Sequence, residues 1–528
     1  MPEQPAPAAA ALAAWRRHGA DGDPQQLRAA LAAGTLSEAF AATAARVPER
    51  PALTVDDRTA THGELDAAAA CVAGWLVERG LQAGDRILLA GPSSLELIHA
   101  YLGALRAGAI VVFADPRATV PELAHLIADA QPRLAFACGE QLQTLRGDAI
   151  AGTPLGLGAI ALERGGAEPT LTQALEGSPI APIAPVAALL AYTSGTTGEP
   201  KGALLSHGNV LASIRGALTA WRWSEDDVLV HALPLSHQHG LSGVHAALLT
   251  GSHTVVLSKF DPRALDSAVE RHGATVLFAV PSIYERLVAH GPLRALRGLR
   301  LATCGSAPLT VELGERVGEL LGQLPLERYG STEAGLDVSN PYDGPRVLGR
   351  VGLPLPGVEV DVDGAGEDGV GELLVRGPQV FDGYWRREKA TAEAFADGWF
   401  RTGDLARIDP ETGYVAIVGR SKEMIISGGL NVYPAEVERV IVEHPSVVAV
   451  AVAGVPSQAW GEEVVAFVVP AAVAVAQDEL VAFCRERMSA YKCPKRVVTV
   501  AELPRNRMGK VRRDVLVADV ESAPGAAG

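Results

Sequence analysis

Residues 192–202 read YTSGTTGEPKG. Thr193, Ser194, Thr196 and Thr197 surround Gly195 and Gly198, and Lys201 follows Pro200. This mixture suits a chain of phosphates. Glycines let the backbone approach closely, amide N–H groups and hydroxyls donate hydrogen bonds, and the ammonium neutralises charge. It is not the G-x-x-x-x-G-K-[ST] loop, because Lys201 follows a proline and precedes Gly202. Nor is it the G-x-G-x-x-G dinucleotide fingerprint. A polar surface loop also fits these residues taken alone, and the stretch suggests phosphate without naming a reaction.

The flanking segments must position that loop. VAALLAY before it has the character of a buried strand, and SHGNVLASIRGALTAW after it that of a helix entered through a Ser or Asn cap. Further upstream, SLELIHAYLGALRAG has helical spacing and stands between the β-rich runs DRILLAG and AIVVFAD. The alternation recurs at DVLVHALP, HTVVLSK, TVLFAVP and LRLATCG. It predicts an α/β fold of parallel sheet covered by helices, with ligands at the C-terminal ends of the strands. Residues 350–420 become β-rich and glycine-rich, and beyond Arg420 a smaller alternation begins. We therefore expect a loosely held, partly helical extension over 1–35, a large domain over 36–420, a small domain over 421–518 and a disordered tail over 519–528.

The chain has 528 residues, 48% hydrophobic and 20% charged, with a formal net charge of −15. That is a globular composition, and its charge disfavours broad nucleic-acid binding. No apolar run approaches the ~20 residues of a membrane span. Glu3 precedes the apolar N-terminal stretch and arginines follow it, the wrong charge order for a secretory signal. Cys71, Cys138, Cys304, Cys484 and Cys493 form no CxxC pair. Neither a disulfide framework nor a zinc site is legible, and a reducing cytoplasm is expected.

YTSGTTGEPKG resembles the signature of the adenylate-forming superfamily of acyl-CoA synthetases, luciferases and peptide-synthetase adenylation domains. Other blocks resemble that family in its own order: YGSTEAG (329–335), GYWRREKAT (383–391), GWFRTGDLARID (398–409), GRSKEMIISGGLNVYPAEVE (419–438) and LPRNRMGK (503–510). The resemblance covers nearly the whole chain after residue 36. It implies a large N-terminal domain of doubly wound sheets with a β-rich subdomain, and a small, mobile α+β C-terminal domain. It also implies ATP, Mg2+ and coenzyme A as reactants, with a carboxylate joined to the α-phosphate and pyrophosphate expelled.

By the same resemblance Lys510 neutralises the carboxylate and α-phosphate, a task of positioning and electrostatics. Glu333, with Thr196, holds Mg2+, a hard, oxygen-seeking ion. Thr332 bonds the α-phosphate, Tyr329 packs on adenine, and Asp404 accepts the ribose hydroxyls beside Arg420. Gly305, Ser306, Ala307, Arg328, Gly330 and Ser331 complete the nucleotide site. Lys422 is the hinge, and Ser427, Gly428 and Gly429 line the pantetheine tunnel. The small domain rotates after adenylation, which explains a catalytic lysine so late in the chain.

The acid must be argued separately. The acyl pocket draws on LPLSHQHGLSG, VPSIYERL, TCGSAPL and LERYG, and two of these carry Arg286 and Arg328. A buried cation without a partner costs several kcal/mol. Two arginines in a pocket suit a substrate with a second carboxylate, which a guanidinium binds bidentately. A solvated Arg286, or an Arg328 paired with Glu327 or Glu285, is the plainer reading. The surroundings look most like malonyl-CoA synthetases, in which arginines at both positions, with His237 and Ser306, face the substrate. Ser331 replaces a commoner methionine and Ser236 a commoner aromatic residue, which leaves methylmalonate or another short dicarboxylate open.

Other readings are a fatty- or aryl-acid CoA ligase, a stand-alone adenylation enzyme loading a carrier protein, and a non-catalytic adenylate-binding protein. Retention of Lys510, Glu333 and Lys201 opposes the last. We expect a monomer or homodimer without stable membrane insertion.

Overall fold

The strands Arg86–Ala90 and Ile110–Ala114 pair in parallel, as the alternation around helix Leu95–Arg106 requires. They are central in a seven-stranded sheet whose spatial order is Gly383–Tyr384, Gly202–Leu205, Leu189–Tyr192, Ile110–Ala114, Arg86–Ala90, Leu134–Ala137, Ala159–Ala161. A nine-stranded sheet runs Leu353–Pro354, Gly335–Ser339, Leu326–Ser331, Leu301–Cys304, Val276–Ala279, Val228–His231, His253–Val256, Pro51–Val55, Arg58–Thr61. Every residue of Leu134–Ala137, Val276–Ala279 and Leu301–Cys304 is buried. Strands buried on both faces are apolar runs, not alternations, and mark sheets covered by helices on each side.

This computed structural model describes residues 8–147, 155–162, 170–183, 187–192, 200–427, 430–457, 460–471, 475–505 and 511–522. The chain forms two compact units. The described residues up to 192 and those of 200–360 and 375–400 form one, and those of 361–374 and from 401 onward form the other. Residues 361–374 group with the second because Arg401 pairs with Asp363 and Glu372, and the Thr402 hydroxyl donates to Leu373 O at 2.8 Å. The compact division therefore falls at 400/401, ahead of the boundary expected near 420.

Within the second unit, the hairpin Val447–Ser457 and Gly461–Pro470 is the spine of a five-stranded sheet. Val452, Val464, Ala466 and Val468 pack with Val437, Ile441 and Leu480 of two helices. Ala451, Ala453, Val455, Val465 and Phe467 pack with Leu516 and Val520 of a third, Arg513–Ser522. This period-two alternation gives the sheet two apolar faces, each covered.

The N-terminal extension departs from expectation. Helices Ala9–Arg17 and Pro24–Ala32 are held firmly on the first unit. Trp15 is 2% exposed, and its indole N–H donates to Val358 O at 2.7 Å. The Arg28 guanidinium donates to Gly357 O and to Glu359 Oε1, the latter at 2.5 Å. Arg376 Nε and Nη2 also bind Glu359, each at 3.1 Å, and the Ala8 amide donates to Glu359 Oε2 at 2.9 Å. A low-complexity alanine run conceals these contacts, which come from two side chains reaching more than 300 positions along the chain.

Candidate active site

The loop 193–199 lies outside the described residues; its two stems do not. Strand Leu189–Tyr192 pairs antiparallel with Gly202–Leu205, Tyr192 opposite Gly202. The layout expected from sequence was strand, loop, helix, but a strand intervenes before helix His207–Ala220. GALL is apolar enough to pair with LLAY, so the helix N-terminus is displaced from the loop. Gly202 lets Leu190 and Tyr192 pack closely on the strand, since a Cβ would stand 2.7 Å from Leu190 Cδ1 and displace that side chain. The helix does begin at a Ser cap: Ser206 Oγ accepts from the Asn209 amide, and Asn209 Oδ1 accepts from the Ser206 amide at 2.8 Å.

Glu333 follows strand Leu326–Ser331 in a turn, where the Ala334 amide donates to Ser331 Oγ at 3.1 Å and Gln238 Nε2 to Thr332 O at 2.9 Å. The Tyr384 hydroxyl donates to Glu333 Oε1 at 2.9 Å, and the Phe381 amide to Glu333 O at 2.8 Å. Burial, then the charge and hydrogen bond of Glu333, hold the Tyr384 hydroxyl well above the usual tyrosine range, so it remains a donor. Lys201 Nζ stands 5.2 Å from the Tyr384 ring centroid. One tyrosine thus touches both the loop lysine and the acidic residue. Tyr329, half-buried in the same strand, stands opposite Val338, and Gly330 opposite Leu336.

Arg328 is 6% exposed, and its Nε and Nη2 are buried without a hydrogen-bond partner among the described residues. Its guanidinium presses on Gly305, which with Ser306 and Ala307 follows strand Leu301–Cys304. Burial lowers the Arg328 pKa to about 10. Ser306 adopts φ +69°, a strained conformation for a residue with a Cβ, and its Oγ stands 3.1 Å from His239 Nδ1. His239 Nε2 is also buried, with no partner among the described residues. Burial first, then the charges of Arg328 and His231, hold His239 far below the usual histidine range. His231 accepts the Leu233 amide on Nδ1 at 3.1 Å, and its Nε2 too is buried without a partner.

Neither His239 nor Tyr384 was expected as a site residue. The signals were present in the sequence, as the second histidine of SHQHG and the tyrosine of GYWRR. His237 precedes helix Gln238–Thr250, half-buried, with Nε2 4.0 Å from Asp115 Oδ2. Burial lowers its pKa while Asp115 opposes that shift and Arg117 adds to it. Arg286 is exposed on helix Pro281–His290, its guanidinium 4.4 Å from the Phe260 ring centroid. The premise that both arginines are buried therefore holds for Arg328 alone, and Arg286 here is a solvated helix residue.

In the second unit, Asp404 stands opposite Arg420 across an antiparallel pair, with Arg420 Nε 3.1 Å from Asp404 Oδ1. Lys422 is exposed in the single turn Ser421–Glu423. Ser427 is 2% exposed and its Oγ is buried without a partner among the described residues. Gly428, Gly429 and Lys510 lie outside the described residues.

The AMP-binding enzyme family matches residues 40–385, and the AMP-binding enzyme C-terminal domain matches 436–510. The chain belongs to the AMP-binding enzyme family. It is 37% identical to the feruloyl-CoA synthase of an Amycolatopsis species, over 85% of this chain and 92% of that one. The mitochondrial malonate–CoA ligase ACSF3 of Xenopus laevis is 38% identical, over 62% of this chain and 64% of that one. Among solved structures, ATP-bound MatB from Rhodopseudomonas palustris superposes with a TM-score of 0.85 at 37% identity, over 92% of this chain and 99% of that one. This AMP-binding enzyme is an ATP-dependent acid–CoA ligase of the adenylate-forming superfamily, using ATP, Mg2+ and coenzyme A. Among the described residues, no helix is long and apolar enough to cross a membrane.

Proposed function

We propose that the acid is malonate or a close short dicarboxylate such as methylmalonate. The observation that carries this reading is Arg328, a buried guanidinium with two unpartnered nitrogens, beside Ser306 and His239. A fatty or aryl tail would leave that cation desolvated and unpaired, at a cost of several kcal/mol. A second carboxylate would satisfy it with charge-assisted hydrogen bonds. Burial keeps His239 neutral, so it adds a hydrogen-bonding nitrogen without a second charge.

In the first half-reaction a carboxylate oxygen of the acid attacks the α-phosphorus of ATP, and the bond to pyrophosphate breaks. In the second, the thiolate of coenzyme A attacks the acyl carbon and AMP leaves with the bonding pair. The role of Lys510 is to neutralise the anions of the first step, with Thr332 on the α-phosphate and Asp404 on the ribose. The Glu333 carboxylate, oriented by Tyr384, suits a hard cation, and with Thr196 it would hold Mg2+, whose charge when bound neutralises phosphate oxygens. The segment from Lys422 to Gly429 forms the hinge and thiol path, and residues 421–518 act as the mobile domain.

The test is acid-dependent thioester formation by the purified protein over malonate, methylmalonate, 2-succinylbenzoate, ferulate and octanoate. Preference for malonate or methylmalonate is expected. Preference for ferulate or octanoate would overturn the dicarboxylate reading and leave the ligase intact.

A further inference from the structure

Helix Val120–Ala130 buries Leu123, Leu126 and Ile127 against the seven-stranded sheet. Its other side carries His125 and Asp129, one turn apart and therefore on one face. Each holds one end of the phosphate loop. The Tyr192 hydroxyl, on the residue before the loop, donates to Asp129 Oδ2 at 2.7 Å. Pro200 O, at the loop's other end, accepts from His125 Nε2 at 3.1 Å. The His125 and Tyr192 rings meet edge to face, with centroids 6.2 Å apart.

Asp129 has a second set of contacts. Arg387 Nη2 donates to Oδ1 at 2.9 Å, and the Trp385 indole N–H to the Asp129 carbonyl at 3.2 Å. Trp385 and Arg387 closely follow Tyr384, the residue bonded to Glu333. The Trp385 amide donates to Gly202 O at 2.8 Å, and Tyr384 pairs with Ala203, closing the circuit at the loop's outgoing strand. The two carboxylate oxygens of Asp129 are thus divided, one to the loop stem and one to the segment behind the acidic residue. The Asp129 side chain is 10% exposed and the Tyr192 bond is partly buried, whereas Arg387 at the other oxygen is 41% exposed.

We propose that Asp129 is a positioning residue for ATP, a splint that fixes the loop stem at Tyr192 relative to the Tyr384–Glu333 pair. It touches no reactant and acts through Tyr192 and Arg387. His125 is the lesser half of the same splint. Burial and the Asp129 bond hold the Tyr192 hydroxyl above the usual tyrosine range, which keeps it a donor. The inference rests on the adenylation chemistry and not on the identity of the acid.

The experiment compares Asp129→Asn and Tyr192→Phe with wild type in acid-dependent exchange of pyrophosphate into ATP, and in thioester formation with each reactant varied in turn. Asp129→Asn keeps the shape and removes the charge, and is expected to raise KM for MgATP roughly tenfold. Tyr192→Phe is expected to raise it about threefold, and the double variant no more than Asp129→Asn alone, since one bond is lost twice. KM for the acid and for coenzyme A is expected to stay within about twofold of wild type. A fall in Tm with KM for MgATP unchanged would make the contacts merely structural and overturn the proposal, as would equal rises in all three KM values. Wild-type protein that exchanges pyrophosphate with no acid would remove the adenylation chemistry itself. Active wild type with unaltered variants would remove this inference alone.

Discussion

Gly305 lies directly beneath the Arg328 guanidinium: a Cβ at this position would come within 2.5 Å of Nε and 2.7 Å of Cζ. The backbone turn after strand Leu301–Cys304 thus supplies the floor on which the buried cation rests. Gly305→Ala must push the guanidinium aside, because all three atoms nearest the new Cβ belong to the Arg328 side chain. We expect KM for a dicarboxylate to rise about tenfold. Arg328→Met is expected to abolish the preference for dicarboxylates and to leave turnover of monocarboxylic acids within reach, read by the same acid panel. Equal loss on all acids would assign Arg328 to the fold instead.

Tyr384 ties Glu333 to the strand that follows the phosphate loop. Tyr384→Phe removes one hydrogen bond to a carboxylate and should lower kcat about tenfold, corresponding to the ~1.5 kcal/mol typical of such bonds. The loss should be greatest at limiting Mg2+, measured by titrating Mg2+ at fixed ATP.

Lys510→Ala separates the two half-reactions. Adenylate formation should fall by about a thousandfold, as for removal of a major electrostatic contact. Reaction of synthetic acyl-adenylate with coenzyme A should stay near wild type, and equal loss in both steps would refute the two-conformation mechanism.

Glu359 is bound by Arg28, Arg376 and the Ala8 amide inside the first unit. Arg376 still pairs with Glu359 when Arg28 is removed, so Arg28→Ala should cost less than the ~3–5 kcal/mol of an uncompensated buried charge, yet lower Tm measurably without altering the KM values. Burial pushes the Glu359 carboxyl up, but the bonds from Arg376 and Arg28 outweigh it and leave the pKa below its ordinary value. Its stabilising contribution is therefore present above the ordinary glutamate range and is lost as pH falls through the depressed pKa. Thermal melts of wild type and Glu359→Gln below pH 4.5 should converge as the solution is acidified.

Burial lowers His18, His207 and His231 to about 4 from 6.5. Between those values the unfolded chain binds protons that the folded chain refuses, so stability falls as pH drops from 6.5 towards 4. Melting curves across this window should show Tm declining, and His231→Asn should shallow the slope.

The ordered blocks made the chemistry legible, and so did the alternation of apolar runs with helical spacing. Ser206 as a helix cap could be named from its neighbours because capping is local. Gly202–Leu205 as a strand could not, since four apolar residues become a strand only when a partner such as Leu189–Tyr192 is in register. The alanine-rich extension misled for a related reason. Its packing depends on Trp15 and Arg28 meeting strands far along the chain, and composition carries no trace of those meetings.

The sequence by itself pointed to the reaction, because its short contiguous blocks resemble, in order, those of the adenylate-forming superfamily; residue type alone reached only as far as a phosphate loop. Only the tertiary structure decided which arginine is buried. Arg286 and Arg328 are equivalent as letters, but one lies on the outer face of a helix and the other on an interior strand between Leu301–Cys304 and Gly335–Ser339. Desolvation depends on what surrounds a charge in space, and that same surrounding brings Gly305, Ser306 and His239 to Arg328.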